Sequence, residues 1–248
     1  MADKKLLQGK TVLITGASRG VGETLSCHLA RHGAKLVLVS EKGDDLKQTQ
    51  EKCQAEGAPD VDTHSCDLAD PKAVQTLGEK LAGQGVDVAI MNAGVFVGGE
   101  DDPLKGNPDE WDRMFRINVA APMRLMRLLA PGMKDKGEGC IVCISDVEAV
   151  HTGPRHAAYA ASKSAYEASY QPFEWQAAPV LGRLSTLHLL LCKRAGNVAQ
   201  TSMAEETGKQ GGQGAIDPHD VSEAVLLAFR CSANCVPEEI VLKAARPQ

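Results

Sequence analysis

The chain has 248 residues, 43% of them apolar, enough for one large α/β domain with a full core. A net charge of −5 and a pI near 5.8 give no pull toward nucleic acid or an anionic membrane. The opening Met1-Ala2-Asp3-Lys4-Lys5 lacks the apolar core of a signal peptide, and no run reaches the ~18 apolar residues a membrane helix needs.

Strand-like and helix-like segments alternate throughout. Thr11–Thr15 predicts a strand, and Gly20–Arg31 a helix with Val21, Leu25, Leu29 and Ala30 near one face. Lys35–Ser40 predicts a second strand, 44–55 a helix, and 61–66 a third strand. Asp70 as cap and Pro71 at the first position open a helix over 71–82. Residues 86–91 predict a fourth strand, followed by a polar, Gly-rich loop over 98–107. Residues 108–133 read as one long helix that Pro122 should kink or weaken. A fifth strand over 140–145, a helix over 157–178 and a sixth strand over 186–191 follow. The chain closes with a polar loop over 196–214, the helix Pro218–Arg230 and a short strand over 240–242. This pattern predicts a single doubly wound parallel sheet with helices on both faces, one domain over 1–248. The eight cysteines form no disulfide framework, so a reducing cytosol is the simplest compartment. Cys140 and Cys143 should point to opposite faces of a strand. Cys231 and Cys235 read as incidental thiols, and no metal site is expected.

The apolar run Val12-Leu13-Ile14 leads into Thr15-Gly16-Ala17-Ser18-Arg19-Gly20-Val21-Gly22. Glycines there permit a tight turn, close backbone approach to a pyrophosphate, and packing of the helix on the strand. The helix N-terminus then offers free N–H groups to phosphate. The second strand ends in Ser40-Glu41-Lys42, where an adenosine ribose would lie. Glu41 suits the ribose hydroxyls of NAD(H), whereas Arg19, Ser40 and Lys42 suit the 2′-phosphate of NADP(H). Arg19 in the turn tilts the choice slightly to NADP(H).

Tyr159 and Lys163 lie one helical turn apart on one face. Hydride reduction of a ketone builds charge on oxygen, which needs a proton donor. The lysine's charge should favour tyrosinate and lower the tyrosine pKa from about 10.

With these motifs together, the chain from about residue 9 to 242 resembles the short-chain dehydrogenase/reductase family in its compact form. Thr15-Gly16-x3-Gly20-x-Gly22 matches the family's cofactor turn. Asp67-Leu68 resembles its turn beside the adenine, and Met91-Asn92-Ala93-Gly94 its Asn-Asn-Ala-Gly motif with the first Asn replaced. Asn118 matches the catalytic asparagine that orders a proton relay, and Tyr159-x3-Lys163 the proton donor and ribose-holding lysine. Val198 and Thr201 resemble the segment that touches the nicotinamide carboxamide, although Ala195-Gly196 replaces the family's Pro-Gly. The resemblance implies an NAD(P)(H)-dependent oxidoreductase acting on a carbonyl/alcohol pair of a small or medium organic substrate. It also implies a homodimer or homotetramer assembled through helices near 113–133 and 157–178.

One departure falls at the reacting centre. The family places a serine thirteen residues before the Tyr, and here that residue is Asp146. An ionised Asp cannot donate a hydrogen bond, and its charge opposes the lysine's effect on Tyr159. Asp146 is therefore a protonated donor in a closed site, a partner for a hydroxyl or cationic substrate group, or a mark of lost carbonyl chemistry. The last reading makes the chain a cofactor-binding, non-catalytic or weakly active protein with a sensing or assembly role. Ser145 should point the other way along the strand. His151 and His156 read as solvated loop residues. Trp111 should pack in the core and Trp175 at a subunit contact. Phe96, Val97 and the loop at about 194–216 should wall the substrate pocket.

Overall fold

The computed structural model describes residues 5–96, 106–150, 156–177, 183–192, 216–232, 235 and 237–243. Seven strands form one sheet in the order β3-β2-β1-β4-β5-β6-β7: β1 Thr11–Thr15, β2 Lys35–Ser40, β3 Val61–Ser65, β4 Val88–Met91, β5 Glu138–Asp146, β6 Arg183–Cys192 and β7 Glu239–Lys243. Every neighbouring pair is parallel. The helices are α1 Gly20–Arg31, α2 Leu46–Ala55, α3 Pro71–Gln84, α4 Pro108–Phe115, α5 Ala121–Lys136, α6 Ala157–Ala177 and α7 Pro218–Arg230.

The strands are apolar on both faces because both are covered. Val12, Ile14, Leu36 and Leu38 pack with Leu25 and Leu29 of α1, Leu46 of α2 and Val225 of α7. Their neighbours Leu13, Val37 and Val39 pack on the opposite face with Val74 of α3, Leu125 of α5 and Tyr166 of α6. Cys140 joins the first cluster and Cys143 the second, as the period of a strand requires. Among the described residues, seven cysteines are outside any disulfide. Among the described residues, no helix is long and apolar enough to cross a membrane.

The single helix expected over 108–133 is instead three pieces. α4 stops at Phe115, Arg116–Ala120 forms a π turn, and α5 begins at Ala121 with Pro122 in its first turn. Proline has no N–H for the carbonyl four residues earlier, here Asn118, and its ring crowds that oxygen. Widening the preceding turn relieves the clash, so the proline starts α5 rather than kinking a continuous helix. Pro131 lies inside α5, which runs on to Lys136. Trp111 is half-buried rather than a core residue: a Cβ on Gly106 would fall 2.2 Å from its ring, so it packs on that bare backbone.

Candidate active site

Strand order reverses between β1 and β4, and a cavity of about 550 Å³ opens at the carboxyl ends of these strands. Ser18, Arg19, Gly20 and Val21 line one end of it, with Gly16 and Gly22. Gly16 adopts φ +66°, the left-handed region that side chains disfavour. Gly22 is constrained by approach: a Cβ there would stand 2.1 Å from the Gly16 carbonyl oxygen. The turn is braced from β4. Asn92 donates through Nδ2 to the carbonyls of Thr15 and Gly16, at 3.0 and 3.1 Å. Thr15 Oγ1 accepts from the N–H groups of Asn92 and Ala93. The outcome is a bare backbone cradle at the positive end of α1, which fits a dinucleotide pyrophosphate.

Ser40, Glu41, Asp67 and Leu68 also line the cavity, at the ends of β2 and β3. Ser40 donates to the Lys42 carbonyl at 2.6 Å. Glu41 is paired. Nη2 of Arg113 lies 3.0 Å from its Oε1 and 3.6 Å from Oδ1 of Asp67. Arg113 reaches the cavity from α4, and reasoning along the chain missed it. One arginine in an amphipathic helix carries no local signal of a partner 72 residues away.

At the other end, Tyr159 and Lys163 of α6 line the cavity with Asn92, Ala93 and Gly94. Both are buried, at 4% and 6% exposure. Nζ of Lys163 lies over the Tyr159 ring, 5.7 Å from its centre. A Cβ on Gly94 would meet that Nζ at 3.3 Å and Oδ1 of Asn118 at 3.5 Å, so three elements converge over this glycine. Asn118 lies in the π turn and is buried. Its Oδ1 accepts from the Val95 N–H, while Nδ2 donates to the Val95 carbonyl and to Oγ of Ser162. Ser162 in turn donates to the Tyr159 carbonyl. Asn118 thus ties the β4 loop to α6. Met91, standing where the family motif has Asn, is buried in the core, and its carbonyl accepts from the Tyr166 hydroxyl.

Asp146 is 3% exposed at the end of β5. Tyr159 donates its hydroxyl to Oδ2 at 3.1 Å, and Oδ1 accepts from the Glu148 N–H at 3.2 Å. Burial first, then the Asp146 charge and hydrogen bond, push the Tyr159 phenol well above its usual range. This corrects the expectation that Lys163 lowers it. The ammonium lies over the ring face, whereas the carboxylate is at hydrogen-bond distance from the hydroxyl itself.

Ser145 lines the cavity beside Asp146, and its buried Oγ has no hydrogen-bond partner among the described residues. His156 is half-buried, not solvated: Nδ1 is 2.9 Å from Oε1 of Glu148, and its ring meets Phe96 edge-on. Phe96 also meets the Tyr159 ring edge-on, at 5.2 Å, and forms an apolar wall of the cavity. Val97, His151, Val198, Thr201 and nearly all of the 194–216 loop lie outside the described residues, as does the side chain of Trp175.

Residues 10–179 match the family profile described as short chain dehydrogenase. The chain belongs to the short-chain dehydrogenase family. It is 39% identical to 1-deoxy-11-beta-hydroxypentalenate dehydrogenase of Streptomyces avermitilis over 163 residues, 64% of this chain and 60% of that protein. It is 28% identical to glycine betaine reductase of Emericella nidulans over 249 residues, 96% of this chain and 19% of that protein. The chain therefore spans less than two thirds of the length of both relatives. Among solved structures, a metagenomic short-chain oxidoreductase in complex with NADP superposes with a TM-score of 0.80 at 26% identity, covering 97% of this chain and all of that one.

Proposed function

We propose that the protein interconverts a carbonyl and an alcohol on a small or medium organic substrate, with NADP(H) as its coenzyme. The observation that carries this reading is one cavity with the glycine cradle at one end and Tyr159 and Lys163 at the other. A bound nicotinamide supplies or accepts the hydride. Gly16, Ser18, Arg19, Gly20, Val21 and Gly22 hold the pyrophosphate. Asp67 and Leu68 flank the adenine, and Asn92, Ala93 and Gly94 border the ribose beyond. Tyr159 delivers the proton to the substrate oxygen, and Lys163 holds the ribose beside it. Asn118 positions both through Val95 and Ser162. The high Tyr159 pKa keeps the phenol protonated at neutral pH, which suits reduction.

Asp146 acts as an acceptor, as it does toward the Tyr159 hydroxyl and the Glu148 N–H. It favours substrates that present a hydroxyl or a positive charge beside the reacting carbon. Arg113 supports the NADP(H) preference, because it neutralises Glu41 and adds a cation to the end lined by Arg19 and Lys42. The NADP-bound relative points the same way. A homodimer or homotetramer formed through α4, α5 and α6, in a reducing compartment such as the cytosol, completes the reading.

Nucleotide binding tests the coenzyme assignment. Fluorescence titration of the wild type should show tighter binding of NADPH than NADH. Arg113→Ala should cut that preference about tenfold, the scale of one charge-assisted hydrogen bond. Equal affinity for both nucleotides, or a preference for NADH, overturns it.

A further inference from the structure

α7 carries His219 and Glu223 one turn apart, and α1 brings His28 against them. None of the three lines the cavity. Nε2 of His28 is 3.0 Å from Oε1 of Glu223, and the His28 and His219 ring centres are 4.5 Å apart. One donor atom from each residue lies within 4.8 Å of the other two. His28 is 6% exposed, and its Nδ1 has no hydrogen-bond partner among the described residues. An unmet buried polar atom is costly. Leucine, as at Leu25 and Leu29 of the same helix, would fill such a position without that cost.

We propose that His28, His219 and Glu223 form a zinc site that ties α1 to α7. Two imidazoles and one carboxylate are a donor set zinc accepts, with a fourth position left for water. Donors about 2.0–2.1 Å from the metal lie about 3.3 Å apart in a tetrahedron. The His28–Glu223 pair already has nearly that spacing. His219 is exposed and closes the remainder by turning its ring. Nη1 of Arg230 holds Oε2 of Glu223 at 2.6 Å, which leaves Oε1 toward the site. The same arginine charge weakens cation binding, so the affinity is modest. A metal here would fasten the helix whose N-terminus forms the nucleotide cradle.

The test is calorimetric titration of the tag-free, chelator-treated full chain with Zn2+ alone, paired with thermal unfolding. The wild type should take up one equivalent and melt higher. Zn2+ at a hundred times its Kd should raise the folding constant about a hundredfold. His219→Ala and Glu223→Gln should weaken binding about tenfold or more and abolish the melting shift. Cys231→Ser should bind as the wild type does, which separates this site from the thiols. Failure to bind one equivalent, binding unchanged in His219→Ala, or binding lost in Cys231→Ser overturns the proposal. None of these readouts depends on enzyme activity.

Discussion

The Tyr159 hydroxyl proton points at Asp146, not into open cavity, and the reaction must compete with that bond. Replacing Asp146 with Ser removes the charge that is the second cause of the raised phenol pKa. The tyrosine then ionises at lower pH, so the rising, acid-side limb of the alcohol-oxidation profile should move to lower pH in Asp146→Ser. Turnover should rise about tenfold or more, as the proton-transfer group becomes better matched to neutral pH. An unchanged profile would mean that Asp146 does not govern Tyr159. Linkage has the same origin. Because the folded pKa lies above the unfolded value of about 10, this tyrosine adds stability that is complete below pH 10 and is lost as pH rises beyond it. The Gly16 to Gly22 turn and the Tyr159/Lys163 pair were legible because each is a local pattern. The role of Arg113 was not, since its meaning depends on where Glu41 and Asp67 lie in space.

At the scale of elements, the strand, turn and helix from Thr11 to Arg31 act as one unit. Gly22→Ala pushes a methyl toward the Gly16 carbonyl and Nδ2 of Asn92, both on the cradle. Overpacking of this kind should cost about 1–3 kcal/mol of stability. NADPH binding should weaken with it, and a chemical-denaturation curve beside a fluorescence titration checks both. Helices with strong end signals were readable: Asp70 caps α3 and Asp217 caps α7, each accepting from an N–H two residues on. The π turn was hidden, because Pro122 announces a broken hydrogen bond without saying how the chain absorbs it. Here the chain absorbs it in the turn that aims Asn118 at Val95 and Ser162.

Across the whole molecule, alternation of strands and helices leaves few parallel arrangements open, which is why the doubly wound sheet was legible. The meeting of α1 with α7 was not, because residues 28 and 219 share no pattern in the chain. Phe115 on α4 and Met123 on α5 remain exposed at 37% and 43%. Such apolar side chains on neighbouring helices suit a subunit contact. The double variant Phe115→Glu/Met123→Glu should therefore shift the assembly toward monomer in light scattering after gel filtration. An unaltered mass would remove α4 and α5 from the interface.

The central claim is that Tyr159 supplies the proton in a cavity that binds NADPH independently of it. The direct measurement compares wild type with Tyr159→Phe, following NADPH consumption against a panel of ketones, aldehydes and quinones together with NADPH affinity. Turnover should fall by about 10²–10⁴ in the variant, the usual worth of a general acid, while the NADPH Kd stays within about threefold. Equal NADPH consumption by the two proteins on every carbonyl tested would contradict the account.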